Sequence, residues 1–421
     1  MANNLLTVSK ITNESLMVLE NSLVVAGSIT REYDDQFAVT GAKIGATVNV
    51  RKPPRFIGST GPALNVEDFN ETSVPVTLNT QFHVDTQFTT QDLALSMDRF
   101  SDRVIKPAVA AIANKIDRDC AVLLKNTTAN IVGVAGTPPS GLITYLTAGA
   151  YMDAEGTPRD GNRSCIVEPF SGAVIVDSLK GLFVPNNEVS NQYRKGLMGR
   201  DSAGMDWKMD QNIVSHTFGA WASTAGTLTA ATNGAFTGSI ATGWAATSTI
   251  TLTNSQTIAL KQGDVITIAN VFAANPQNRQ AYGSNRLRNF VVMADAGAAA
   301  GTFNVTISPA IITGGQFQNV VVGATSATAT VTPFSIAGTT ATAVVSPQNI
   351  VVHRNAATLA TADLEVPAGV HFAGRASDPN SGLSIRVVRQ YTINNDAIPT
   401  RIDVLYGAAS LYPELACRVA G

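Results

Sequence analysis

Charge is scarce in this chain. Of its 421 residues only 14% are Asp, Glu, Lys or Arg, against about 25% in ordinary soluble domains, so much of the surface must be neutral or covered by partners. A formal charge of -2 and a pI of about 6.1 argue against a protein whose main task is gripping phosphate backbones. Cysteine is scarcer still. Cys120, Cys165 and Cys417 are odd in number and widely spaced; with no C-x-x-C pair they offer nothing to zinc or redox chemistry and read as buried free thiols. No run of 18 or more apolar residues occurs, which argues against a transmembrane helix. The opening Met1-Ala-Asn-Asn-Leu-Leu-Thr7 lacks the basic flank and apolar core of a secretory signal, so a cytoplasmic product is expected.

The usual signatures of catalysis are missing as well. There is no G-x-S-x-G elbow, no G-x-x-x-x-G-K-[ST] phosphate loop, no G-x-G-x-x-G and no H-E-x-x-H pair. The four histidines, His83, His216, His353 and His371, stand far apart without metal-ligand spacing. We expect no active site, no cofactor and no metal, and read the histidines as core or surface residues.

What is present is a long β-arm feeding a long helix, from Lys43 to Lys125. Thr47-Val-Asn-Val-Arg51 alternates apolar and polar residues as a half-buried strand does, and so does the run from Val74 through Thr89, where Phe82, Val84, Thr86 and Phe88 oppose His83, Asp85 and Gln87. Between them lies a connection many residues long, with Pro53-Pro54, Gly58 and Gly61-Pro62, where ordinary hairpins close in about two to five. So long an arm cannot bury itself, and a neighbouring subunit is the expected cover. Its basic residues Arg51, Lys52 and Arg55 could meet nucleic acid, but pairing with the acidic Glu67, Asp68 and Glu71 of neighbouring arms is the stronger reading. We take these six as candidate inter-subunit contacts.

The helix reads from about Leu93 to Lys125, with Thr90 as N-cap and Pro107 as the one break signal, kinking the helix or dividing it in two. Ile105, Val109, Ile112, Ile116, Cys120 and Leu123 or Leu124 form an apolar stripe, and Asp102, Arg103, Lys106, Lys115, Asp117, Arg118 and Asp119 take the other side. After Pro107 alone it would span about 27 Å, roughly the width of a small domain. Lys115 and Arg118 could face nucleic acid or simply line a solvated face, and the sequence leaves that even.

Most charged residues precede position 211. None falls in 211 to 260 or in 296 to 353, placing boundaries near 219 and 346. The segment between is rich in Thr, Ala, Gly, Ser and Val, with short β runs at Ser248-Thr253, Asp264-Ile268, Phe290-Met293, Gly301-Ile307 and Ala327-Val331, and a turn at Lys261-Gln-Gly-Asp264. Strands at this spacing predict a small β-barrel, and Trp221, Phe236, Trp244, Phe272, Tyr282, Phe290, Phe303, Phe317 and Phe334 supply a core. Elsewhere a helix is predicted over Ser9-Val25, a strand over Asn162-Val167 and a helix over Pro169-Leu182, with Pro169 in the first turn where its missing N–H costs nothing. Strands at Leu383-Tyr391 and Thr400-Tyr406 flank an Asn394-Asn-Asp turn.

Several stretches, in order and spacing, resemble one known family. They are Gly41-Ala-Lys-Ile-Gly45 with Val48-Asn-Val-Arg-Lys-Pro-Pro54, Glu71-Thr-Ser-Val-Pro-Val76, Gln91-Asp-Leu-Ala-Leu-Ser96, Ala113-Asn-Lys-Ile-Asp117, Leu179-Lys-Gly-Leu-Phe183, Gln192-Tyr-Arg-Lys-Gly196, Met209-Asp-Gln-Asn212, Ile402-Asp-Val-Leu-Tyr-Gly407 and Tyr412-Pro-Glu-Leu-Ala416. The chain is similar, close to full length, to the major coat proteins of tailed bacteriophages with the Hong Kong 97 capsid fold, in the branch of the podovirus P-twenty-two. The resemblance implies an α+β fold with an N-terminal arm over 1-42, an extended β-arm or E-loop over 43-90, and a spine helix, peripheral domain and part of the axial domain over 91-219. It further implies an inserted all-β, barrel-like domain over 220-345, and the axial domain with C-terminal return strands over 346-421. Such a protein would assemble with itself into the hexamers and pentamers of an icosahedral shell. A scaffolding protein and a portal would be its partners, and it would enclose double-stranded DNA without sequence-specific binding. It would be made in the host cytoplasm, reside in the virion and contact no membrane. Some relatives in the broader fold carry a lysine cross-link, but no pattern marks one at Lys43 or Lys52. The alternative is a cargo-enclosing nanocompartment shell of the same fold; portal and terminase genes beside this one would favour the phage, a ferritin-like or peroxidase gene the compartment.

Overall fold

In the computed structural model the described residues are 8–33, 47–67, 71–89, 105–139, 141–178, 202–219, 228–231, 239–240, 243–254, 258–283, 286–298, 301–323, 328–334, 344–378 and 382–421. The chain divides into two compact units, residues 1–50, 73–120 and 357–411 in one, and residues 51–72, 121–356 and 412–421 in the other.

The first unit is organised by its longest strand, Ala397–Ser410. One edge pairs antiparallel with Thr80–Thr89, from Ala397↔Thr89 to Tyr406↔Thr80, and the other meets Leu383–Arg389 and Ala357–Ala362. Thr30–Tyr33 and Phe372–Asp378 complete a six-stranded sheet. The second half of the predicted arm strand thus leaves the arm and joins this sheet, while Thr72–Thr77 pairs with Thr47–Lys52 as a separate two-stranded ribbon. Crossing at that junction requires glycine: a Cβ on Gly407 would stand 2.1 Å from the Thr77 carbonyl oxygen. Val76, Leu78, Ala360, Ala362, Leu364 and Leu405 form the core there.

Two helices begin in this unit. Helix α1 (Val8–Ser22) buries Leu16, Leu19 and, just past its end, Leu23. Helix α2 (Lys106–Thr127) has Pro107 in its first turn, so within the described residues the proline starts a helix rather than kinking one; residues 90–104 lie outside the described set. Ile105, Val109, Ile112, Ile116, Cys120 and Leu124 are buried as the stripe predicts. Asp117 is the correction. Expected on the polar side, it is 1% exposed, and its carboxylate accepts the backbone N–H groups of Val24 and Ala26, each at 2.8 Å. The chain leaving α1 turns through a short 3-10 segment, Ala26–Ser28, and its N–H groups need an acceptor wherever water is excluded.

Among the described residues the second unit holds two large sheets, besides a two-stranded ribbon of Ile258–Leu260 with Ala296–Ala298. In one, Ile131–Gly133, Ala416–Ala420, Val345–His353, Arg163–Val167 and Asp206–Met209 lie side by side, with Ser215–Thr217 also on Val345–His353. Helices α3 (Leu142–Ala154) and α4 (Pro169–Ser178) belong to the same unit. Tyr145, Ala148 and Met152 of α3 pack with Cys165, Trp207, Val351, Cys417 and Val419. All three cysteines are buried and free.

In the other, Leu287–Val292, Gly301–Ser308, Ser248–Asn254, Leu228–Ala231, Thr328–Pro333 and Val265–Ala273 pair in that order, every pair antiparallel. The last strand returns to the first through Val265↔Val291 and Ile266↔Phe290. The ring is therefore a closed barrel with no free edge inside it, and Val320–Val322 attaches outside to Val265–Ala273. Alternation explains the interior: Ile250 and Leu252 point in with Ile266, Ile268, Phe290, Val305, Ile307 and Val331, while Thr249 and Thr253 face solvent. The predicted turn is present, with Asp264 N–H donating to the Lys261 carbonyl at 2.9 Å and Gly263 at φ +97°. Trp221 and Phe236 lie outside the described residues.

Candidate assembly arm

The arm loop of the second unit, residues 51–72, rises from the Thr47–Lys52 strand. Its most distinctive property is unburied apolar surface: Phe56, Ile57, Leu64 and Val66 are 57, 50, 91 and 79% exposed. Single exposed apolar residues are ordinary, but four on one loop concentrate apolar surface in the open. The loop still has a defined course. Gly58 and Gly61 take positive φ, +74° and +119°, and the Glu67 carboxylate accepts the backbone N–H groups of Ile57 and Gly58.

The candidate charged contacts are placed as follows. Arg51 and Glu71 face each other across the ribbon at 3.8 Å, with side chains 80 and 46% exposed; a pair this open contributes ~0–1 kcal/mol. Arg55 lies 3.6 Å from Glu414. Lys52 is half-buried, its Nζ 4.6 Å from the centre of the Tyr412 ring and 5.6 Å from that of Trp244. Burial draws its pKa below the ordinary lysine value, against the pull of Glu414. Asp68 lies outside the described residues, as does Lys43. Sequence reasoning missed Arg279, Tyr412 and Glu414, partners at the arm's base, and assigned the fourth, Trp244, to the barrel core, whereas it is 40% exposed. Their separation along the chain carries no local signal that would have found them.

Two buried charge clusters tie the barrel to the rest of its unit. Glu155, just past the end of α3, receives Arg286 Nη2 at 2.6 Å and Arg288 Nη1 at 2.7 and 2.6 Å. Burial by itself would raise its pKa, but the two guanidiniums outweigh that and hold it below the usual carboxylate value. At the Lys261–Asp264 turn, His216 Nε2 lies 2.8 Å from Asp264 Oδ1, and Asp264 accepts the Gly219 and Lys261 N–H groups. Arg418, fully buried, donates to the Gly263 carbonyl at 2.9 Å, and burial lowers its pKa to about 10. Lys115, one of the two residues considered for DNA, is paired with Asp119 on its own helix at 2.6 Å. Among the described residues no cluster of three His, Cys, Asp or Glu could hold a metal, and no helix is long and apolar enough to cross a membrane.

A family model described as "P22 coat protein - gene protein 5" matches residues 1–421. The chain belongs to this coat protein family. It is a structural major capsid protein of a tailed phage and a component of the virion, and its family implies self-assembly into a shell. Its fold mixes helix and sheet, and the Hong Kong 97 capsid architecture expected from the sequence is consistent with it. None of the curated proteins matches. Among solved structures, one titled "Mycobacterium phage Che8" is similar at 9% identity and TM-score 0.44, covering 94% of this chain and 90% of that one. "Capsid structure of the Cyanophage P-SCSP1u" is similar at 9% identity and TM-score 0.42, over 93 and 86%. "Asymmetric unit of bacteriophage PhiM1 mature capsid" is similar at 11% and 0.42, over 94 and 86%.

Proposed function

We propose that this coat protein builds an icosahedral head as hexamers and pentamers, with the arm of each subunit laid over a neighbouring copy. The observation that carries the reading is the exposure of Phe56, Ile57, Leu64 and Val66 on one loop of a chain that belongs to a coat protein family. Covering such side chains contributes about 25 cal/mol per Å² before ordering costs are subtracted, and a closed shell repeats that gain at every subunit. Of the six charged candidates on this arm, Lys52, Arg55 and Glu67 have partners within their own chain, and Arg51, Asp68 and Glu71 are the ones offered to the contact. Arg51 and Glu71, both exposed, are the two best placed to exchange their mutual pairing for one with a neighbour.

In the same reading residues 1–42 are the N-terminal arm and 43–90 the E-loop. The peripheral domain and part of the axial domain fall in 91–219, the inserted barrel domain in 220–345 and the rest of the axial domain in 346–421. A scaffolding protein and a portal join the assembling shell in the host cytoplasm, and the lumen receives double-stranded DNA without sequence-specific contact. The near-neutral charge of -2 suits a container that holds DNA without gripping it. The protein works mechanically, without catalysis. Deleting residues 53–72 tests the central claim: the subunit stays soluble and folded but forms no regular shells by size-exclusion chromatography and electron microscopy. Normal closed shells from the deletion would refute it.

A further inference from the structure

The base of the arm is gripped by its own chain at three points. Lys52 sits with its ammonium between the rings of Tyr412 and Trp244. Arg55 Nη2 meets Glu414 Oε1 at 3.6 Å, and Arg279 Nη2 donates to the Phe56 carbonyl oxygen at 3.0 Å. Strand alternation delivers the lysine: Asn49 and Arg51 face solvent while Lys52 lies on the sheltered side. The grip on Phe56 is on its backbone; its ring, with Ile57, Leu64 and Val66, stands open.

We propose that Trp244, Arg279, Tyr412 and Glu414 form an intramolecular clamp on Lys52, Arg55 and Phe56 that fixes the direction of the arm before it meets a neighbouring copy. The inference rests on the arm reading above and deepens it. A long loop free at its root would lose conformational freedom on docking and weaken every contact it made; a root fixed in advance removes that cost from the assembly step. The choice of groups fits a device that holds without sealing. An ammonium over aromatic faces keeps much of its attraction at a partly wet site, and the guanidinium on a carbonyl restrains backbone rather than a side chain. Trp244 and Arg279 come from the charge-poor segment and Tyr412 and Glu414 from the chain's end, so the clamp gives both a task in presenting the arm.

The test uses the unassembled full-length subunit and chymotrypsin, following cleavage at Phe56–Ile57 by mass spectrometry. Tyr412→Leu and Glu414→Gln should each raise that rate about two- to fivefold, because cleavage follows the population of the released arm. Lys52→Arg, which keeps a cation for the rings, should stay within about twofold of wild type. Cleavage rates elsewhere and the thermal midpoint should not change. Glu414→Gln keeps the experiment valid if the aromatic replacement misfolds. An unchanged Phe56–Ile57 rate in both variants overturns the clamp. A released arm with shells forming at the wild-type rate by light scattering overturns its role in assembly. Failure of the arm reading itself appears separately, as normal shells from the 53–72 deletion.

Discussion

Replacing Glu155 by Gln should cost the subunit more stability than any surface change. The carboxylate is 4% exposed at its side chain and is held by Arg288, 8% exposed, and Arg286, 17% exposed. It also stands just past the C-terminal end of α3, where a negative charge opposes the helix dipole. The arginines, not the helix, therefore account for it. Gln preserves the shape and one acceptor oxygen but leaves two sheltered guanidiniums facing each other without a counter-charge. Breaking one member of a buried pair typically costs about 3–5 kcal/mol. The measurement is urea unfolding of unassembled subunits followed by tryptophan fluorescence, since Trp207 lies in the core of this unit. Replacing all three residues, Glu155→Leu with Arg286→Met and Arg288→Leu, should recover stability to within about 1–2 kcal/mol of wild type. The remaining deficit reflects the lost stacking of Arg286 on Tyr151 and Tyr282, 4.7 and 5.5 Å from the ring centres. Acid adds a signature. Glu155 is held below its ordinary value of 4.5, so its contribution is complete above that pH and is lost as pH falls through the folded-state value; Glu155→Gln should lack this loss. A single variant within about 1 kcal/mol of wild type, or a triple variant no better than the single, would refute the reasoning.

Asp117→Ala should destabilise the other unit by about 2–4 kcal/mol, because two backbone N–H groups beyond α1 lose their acceptor where water cannot replace it; hydrogen exchange at Val24 and Ala26 reads this directly, and unchanged protection would count against it. His216 is held below its ordinary 6.5 by burial, with Arg418 and Lys125 acting the same way and Asp264 against it. Stability should therefore be full above pH 6.5 and fall as pH drops toward the folded-state value, by at most about 1.4 kcal/mol per pH unit, and His216→Gln should flatten that slope. Equal slopes in the two proteins would exclude His216 as the source. Arg51→Glu should leave subunit unfolding within about 1 kcal/mol of wild type, since its pair with Glu71 is open to solvent, yet slow shell formation; unimpaired shells would remove Arg51 from the proposed contact.

Where a side chain's fate follows from its immediate neighbours, it was legible beforehand. The α2 stripe, the alternation in Thr80–Thr89 and Ser248–Asn254, and the Lys261–Asp264 turn depend on periods of two and 3.6 and on glycine. Asp117 departs from its pattern because its acceptor role is set by a segment 91 residues away. Lys52 reads as one more exposed cation in a basic run, but the rings that receive it belong to positions 244 and 412.

By itself, then, the sequence determined the element types, the apolar faces, the scarcity of charge and, through whole-chain resemblance, the family. Tertiary structure alone decided how the barrel closes, which arginines meet Glu155, and what grips the arm. The first group rests on interactions between residues a few positions apart, repeated along the chain. The second rests on single contacts between distant residues, and one carboxylate or one ring leaves no period in a sequence by which its partner could be known.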